Sequence, residues 1–234
     1  MKIKSFTLRF LLLSACFYVM LSCKEETRNV ATQNEAPQKE ATHDIDKGET
    51  YFESGLKAAD ANNMPLAFKE FLAAAKEEHA LAQFNVALMY EQGLGVSKDE
   101  KEALLWYEKS ASQGNSAAQF NLGVLYENGR GTAVDFAKAN EWYRKASVQG
   151  DGLAIGNLGM LYIRGQGVKE NKVAGVALLI MSAAVDTSPE NLAKNNIAAT
   201  RGLTTAMVTE AQALSNEMST AQNMLVPLDT YLKK

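Results

Sequence analysis

The segment Ala118-Gln119-Phe120-Asn121-Leu122-Gly123-Val124-Leu125-Tyr126-Glu127-Asn128-Gly129 decides the reading of this chain, because it recurs. Thirty-six residues earlier stands Ala82-Gln83-Phe84-Asn85-Val86-Ala87-Leu88-Met89-Tyr90-Glu91-Gln92-Gly93, and thirty-six later Ala154-Ile155-Gly156-Asn157-Leu158-Gly159-Met160-Leu161-Tyr162-Ile163-Arg164-Gly165. A fixed period of this length marks stacked supersecondary units that bury their apolar faces on one another. Within the segment Ala118, Leu122, Leu125 and Tyr126 share one helical face. Each copy stops at a glycine suited to a left-handed helix end. A second glycine follows two places on (Gly95, Gly131, Gly167), and then a capping residue, Asp99, Asp135 or Asn171. Glu102, three after Asp99, predicts a capping box.

A second helix follows each turn. It carries Ala103, Trp106, Tyr107 and Ala111 in the first copy, and Ala139, Trp142, Tyr143 and Ala146 in the second. The third copy, with Gly175, Leu178, Leu179 and Ser182, is degenerate. Ala87, Gly123 and Gly159 recur at one register of the first helix. A glycine inside a helix costs about 1 kcal/mol relative to alanine, so its recurrence predicts close helix–helix approach with the aromatic pair filling the remaining space.

These residues resemble the Sel1-like repeat family, a relative of the tetratricopeptide repeats. The likeness is carried by Leu122-Gly123-x-x-Tyr126, Gly129-x-Gly131, Asp135, Ala139 and Trp142-Tyr143-x-Lys145-Ala146 ending at Gly150, and by the matching positions one repeat earlier. It covers residues 82–185, divided as 82–117, 118–153 and 154–185. The resemblance implies an all-α, right-handed α-solenoid that serves as a protein-interaction scaffold. Residues 49–81 read as an N-terminal capping hairpin, and residues 186–234 as C-terminal capping helices, with Ser188-Pro189 opening one helix and Leu203–Met218 forming another.

The first twenty-two residues read as an export signal. Lys2, Lys4 and Arg9 precede an apolar stretch from Phe10 to Met20, too short to span a bilayer as a stable helix. Met20-Leu21-Ser22-Cys23 resembles the lipobox of bacterial lipoproteins, in which the cysteine carries the lipid. Leu13-Ser14-Ala15-Cys16 fits the lipobox letter by letter but leaves a short apolar core, so Cys23 is favoured over Cys16. An ordinary cleaved signal is the alternative to both. Residues 23–48 read as the lipidated cysteine and a polar linker, which as a flexible coil reaches about 27 Å. The expected place is the bacterial envelope, lipid-anchored and facing the periplasm. Lys24-Glu25-Glu26 resembles an export signal for surface display, which is the alternative. With Cys23 lipidated no disulfide is available, so the disulfide-rich branch of the repeat family does not supply the analogy.

Composition excludes other classes. The chain has a formal charge of −3, and without Lys2, Lys4 and Arg9 its 21 basic and 27 acidic residues give −6. No basic face is evident, which argues against nucleic acid. His43 and His79 are the only histidines, and neither has a partner at metal-ligand spacing. The glycine pairs follow helices and lack a later Gly-Lys, so they are turns and not phosphate loops. No catalytic constellation, metal or cofactor is expected. By analogy with tetratricopeptides the first helices line the concave side. Phe84, Asn85, Leu88, Glu91, Phe120, Asn121, Val124 and Glu127 are therefore the expected contacts for a protein or peptide partner. The aligned asparagines bond either a ligand or their own neighbours, and Phe84 and Phe120 serve either as contacts or as core. Functions of other kinds that remain open are a cell-wall-acting hydrolase and a toxin-neutralising immunity protein.

Overall fold

A computed structural model describes residues 41–233, with side chains from residue 47. The signal sequence, Cys16, Cys23 and residues 23–40 of the expected linker lie outside the described residues. Eleven helices and no strands occur among the described residues. They are α1 (Ala41–Asp60), α2 (Met64–Lys76), α3 (Ala80–Gln92), α4 (Glu100–Ser112), α5 (Ser116–Asn128), α6 (Phe136–Val148), α7 (Gly152–Arg164), α8 (Lys172–Val185), α9 (Ala193–Ala199), α10 (Thr205–Thr220) and α11 (Leu225–Tyr231). Each helix from α1 to α8 packs on the next in sequence, and α9 and α10 both pack on α8. The result is an α-solenoid of helical hairpins.

The turns explain why the hairpins repeat. Gly93, Gly129 and Gly165 end the first helices with φ of 72°, 67° and 65°, each donating its amide to the carbonyl four residues back. The caps of the following helices are Asp99, Asp135 and Asn171, whose side chains accept from the first turn. The capping box expected at Asp99 and Glu102 does not close. The Asp99 amide is used elsewhere, donating to the Tyr90 carbonyl at 2.9 Å. The same bond joins Asp135 to Tyr126 and Asn171 to Tyr162. It ties the start of each second helix to the end of the first.

The second glycine of each turn serves the contact between repeats. A Cβ on Gly131 would lie 2.2 Å from the Glu100 carbonyl oxygen, at the start of the preceding second helix. Gly95 meets Met64 and Gly167 meets Phe136 in the same way.

Inside each hairpin the expected close approach is present. A Cβ on Gly123 would stand 2.5 Å from the Tyr143 ring, and Tyr107 and Tyr143 are fully buried. Trp106 and Trp142 are half-buried against the same core. In the third hairpin Leu179 replaces the tyrosine, and two glycines draw the helices together: a Cβ on Gly159 would meet the Gly175 carbonyl at 2.8 Å. The N-terminal hairpin repeats the scheme with a shorter turn, since a Cβ on Gly55 would meet the Phe71 ring at 2.5 Å.

Three expectations about the flanks change. Helix α1 begins at Ala41 instead of Glu49, so residues 41–48 are helix and not linker. Gly48, read as a linker glycine, lies against the Cβ atoms of Glu77 and His79, and Lys47 pairs with Glu77. The helix expected from Ser188 starts at Ala193. Asp186 accepts the Ser188 amide, and Asn191 donates to the Ser182 and Asp186 carbonyls while capping Ala193, which holds the intervening residues in a turn. The tail also adds α11, which the pattern of Leu203–Met218 did not include.

Gly123→Val tests the core contact. Forcing three carbons onto the Tyr143 ring costs about 3 kcal/mol, a fall in Tm of roughly 10 °C. Gly114→Ala is the control, because a Cβ there meets nothing within 4 Å and only the positive φ is strained. Thermal unfolding followed by circular dichroism distinguishes the two.

Candidate partner-binding face

Charge is divided between the two helices in the first two repeats, whereas in the third each helix carries one charged residue, Arg164 on α7 and Lys172 on α8. Helix α3 carries one charged residue, Glu91; α5 one, Glu127; and α7 one, Arg164. Helix α4 carries Glu100, Lys101, Glu102, Glu108 and Lys109, and α6 carries Lys138, Glu141, Arg144 and Lys145. The first helices are apolar around most of their circumference, yet they are not fully buried. Leu81 is 37% exposed, and Phe84, Leu88, Phe120, Val124, Leu153 and Met160 are half-buried. Leu81, Phe84 and Leu88 fall at i, i+3 and i+7, hence on one face. Helix α5 also touches α7 across the intervening α6, which places first helices side by side.

The eight residues expected at this face divide into three groups. Phe84, Leu88, Phe120, Asn121 and Val124 are half-buried and reach the surface. Phe84 and Phe120 also pack on the core, their ring centroids 5.8 Å from Tyr107 and 6.1 Å from Tyr143. Asn85 is only 8% exposed, so its side chain faces inward. Glu91 and Glu127 are engaged within the chain. Tyr107 Oη donates to Glu91 Oε2 at 2.6 Å and Tyr143 Oη to Glu127 Oε2 at 2.7 Å. Arg130 Nη1 reaches the other oxygen of Glu91 at 2.8 Å and also pairs with Glu100.

One of the aligned asparagines, Asn157, belongs to this network. Asn157 Nδ2 donates to Tyr143 Oη at 3.1 Å, so the tyrosine of one repeat links its own first helix to the first helix of the next. Asn85 stands at the same register, but its neighbour there is Phe71, which has no hydroxyl. Its Nδ2 is buried without a partner. Leu81, Leu153 and Met160 were missed in the sequence, although each stands one period from a residue already singled out or in the same helical row.

A second polar ladder runs between repeats. Gln83 and Gln119 donate to the Ala75 and Ala111 carbonyls at the end of the preceding second helix. Their oxygens accept from Gln113 at 2.7 Å and Gln149 at 2.8 Å. Among the described residues no group of three or more His, Cys, Asp or Glu side chains could hold a metal ion, and no helix is long and apolar enough to cross a membrane.

Burial, and then the Glu127 carboxylate, push the Tyr143 hydroxyl well above its ordinary pKa. The unfolded tyrosine ionises near pH 10, while the folded one keeps its proton. The contribution to stability is therefore complete below about pH 10 and is lost as pH rises further. Tyr143→Phe flattens this alkaline loss. At pH 7 it costs about 1–3 kcal/mol, because Asn157 and Glu127 lose their partner. Urea unfolding at pH 7 and at pH 10.5 measures both effects.

The Sel1 repeat family model matches residues 80–115, 116–151 and 153–185. Among solved structures the chain is similar to a Sel1 repeat protein from Oxalobacter formigenes, with 28% sequence identity over 76% of this chain and 78% of that one, and a TM-score of 0.60. It is similar as well to a protective antigen present in uropathogenic Escherichia coli strains that displays an SLR fold. There the identity is 27%, the TM-score 0.61, and the match covers 80% of this chain and 45% of that chain. This chain thus spans less than half the length of the E. coli protein. No curated protein matches the sequence. Sel1-repeat proteins commonly mediate protein–protein interaction, and the fold is typically a non-enzymatic scaffold. The three stretches that match the Sel1 repeat model coincide with the hairpins α3–α4, α5–α6 and α7–α8.

Proposed function

We propose that this chain is a lipoprotein of the bacterial envelope that docks a protein partner on the side formed by its first helices. The observation that carries the docking role is the division of charge. Helices α3, α5 and α7 hold one charged residue each, and their outward apolar side chains are left half-exposed. A solvated helix face ordinarily carries its polar residues outward. A contiguous exposed apolar patch marks an interaction site. The role is presentation of a rigid surface, without chemistry on the partner. Leu81, Phe84, Leu88, Phe120, Val124 and Met160 are the contacts, with Asn121 at their edge.

The tether is Cys23, which would carry the lipid and hold the solenoid at the periplasmic side. Several acyl chains, each methylene contributing about 0.8 kcal/mol when buried, make such anchoring stable.

Two experiments test the parts separately. The variant Leu88→Glu/Val124→Glu/Met160→Glu places charges on the apolar face, and because all three are half-exposed its Tm stays within a few degrees of the parent. Crosslinking in intact cells followed by affinity purification recovers a discrete partner with the parent chain and loses it with the triple variant. Retention of that partner by the variant removes the assigned face. Cys23→Ala moves the protein from the membrane to the soluble fraction and abolishes palmitate labelling. Labelling that persists in this variant moves the anchor to Cys16.

A further inference from the structure

The C-terminal helix α11 shows how a short amphipathic segment sits on this solenoid. Met224, Leu225 and Leu228 are buried in the main core. The next residue, Asp229, places both carboxylate oxygens 2.6 Å from Arg144 Nη2 on α6, eighty-five residues earlier in the chain. Arg144 Nη1 in turn donates to Tyr162 Oη on α7 at 3.5 Å. Helix α11 packs on α10, and its tie to the repeats is a junction tyrosine with a charged residue on the preceding second helix.

One period earlier the same junction carries the opposite charge. Tyr126 and Glu108 stand thirty-six residues before Tyr162 and Arg144. The frame is kept, since Tyr126 Oη donates to Glu108 Oε1 at 2.7 Å. Beside Glu108 lies an open depression of about 370 Å³ lined by Glu102, Leu105, Trp106, Glu108, Lys109 and Ser112. Leu105 is 50% exposed there. The two cations nearby are turned to aromatic rings: Lys109 Nζ lies 4.2 Å from the centre of Trp106 and Lys138 Nζ 4.8 Å from that of Tyr126. Neither forms an ion pair with Glu108, and no other cation among the described residues does.

We infer that the depression at Glu108 is a second docking site, built on the counterpart of the tyrosine–charge pair that receives Asp229, and that it takes an amphipathic helical segment of a partner protein with Lys or Arg where α11 has Asp229. Charge complementarity selects the segment. A cation meets the Glu108 carboxylate, which accepts from Tyr126 but has no ion-pair partner, and the apolar pair one turn before it covers Leu105 and the edge of Trp106. The site lies on the second helices, apart from the apolar face of α3, α5 and α7, so it holds or fails independently of that face.

The test uses the full chain and two synthetic peptides. One has the sequence of residues 221–234, and the other the same sequence with Asp229→Arg. Isothermal titration at low salt is expected to show the Asp229→Arg peptide binding the parent chain about ten-fold tighter than the unaltered peptide. Glu108→Arg reverses the preference. Glu108→Gln, which keeps an acceptor for Tyr126, removes the preference while leaving the fold intact by circular dichroism. Equal affinity of the two peptides for the parent chain, a preference unchanged in either Glu108 variant, or no binding of the Asp229→Arg peptide at millimolar concentration overturns the assignment.

Discussion

The solenoid depends on a buried tyrosine wedged beside a glycine. Tyr143 is fully buried, and its ring occupies the volume that a side chain at Gly123 would take. Its hydroxyl is held by Glu127 of the same repeat and Asn157 of the next. One side chain therefore sets the spacing of the two helices in a hairpin and ties that hairpin to its neighbour. The apolar ring supplies burial worth about 2 kcal/mol or more, and the paired hydroxyl avoids leaving a polar atom unmatched inside. Gly131 supplies the complementary condition at the other edge of the repeat. Its missing side chain lets the turn lie directly on the backbone at Glu100. With both contacts in place the hairpins stack only in one relation.

The ends show what happens when the wedge changes. In the N-terminal hairpin Phe71 keeps the ring and loses the hydroxyl, and Asn85 is left with an unpartnered Nδ2. In the third repeat Leu179 is too small to wedge, and Gly159 and Gly175 let the helices close on each other directly. The last second helix, α8, is then covered by α9 and α10, which replace the repeat that would otherwise follow. This is the behaviour expected of a quasi-one-dimensional fold, where each unit answers to its neighbours and the terminal units must present a finished surface.

The division of charge follows from the same geometry. A first helix is packed by its own second helix, by the preceding second helix and by adjacent first helices, so little of its circumference meets water. Polar residues are exposed at the C-terminal ends of α3, α5 and α7 (Gln92, Asn128 and Arg164), while along the helices the half-exposed side chains are largely apolar. The second helices α4 and α6 carry most of the charge of their repeats, while α8 carries only Lys172. The Glu108–Arg144 alternation on these helices adds a further distinction, because it gives successive junctions opposite sign while leaving the tyrosine frame unchanged.

From the order of residues alone the helical hairpins, their period, the left-handed glycines and the capping residues are all readable, since each depends on local backbone chemistry within one repeat. The pairing of Gly123 with an aromatic residue is readable as well, because a helical glycine recurring at one register has no local benefit. Other features depend on which side chains meet across repeats. Asn85, Glu91 and Glu127 look like surface contacts in the sequence, but Asn85 is turned inward and the half-buried glutamates are engaged by Tyr107, Tyr143 and Arg130. Gly48 looks like part of a linker until the turn at Glu77 is packed against it. The docking of Asp229 on Arg144 joins residues eighty-five positions apart, a distance at which only tertiary packing brings two charges together.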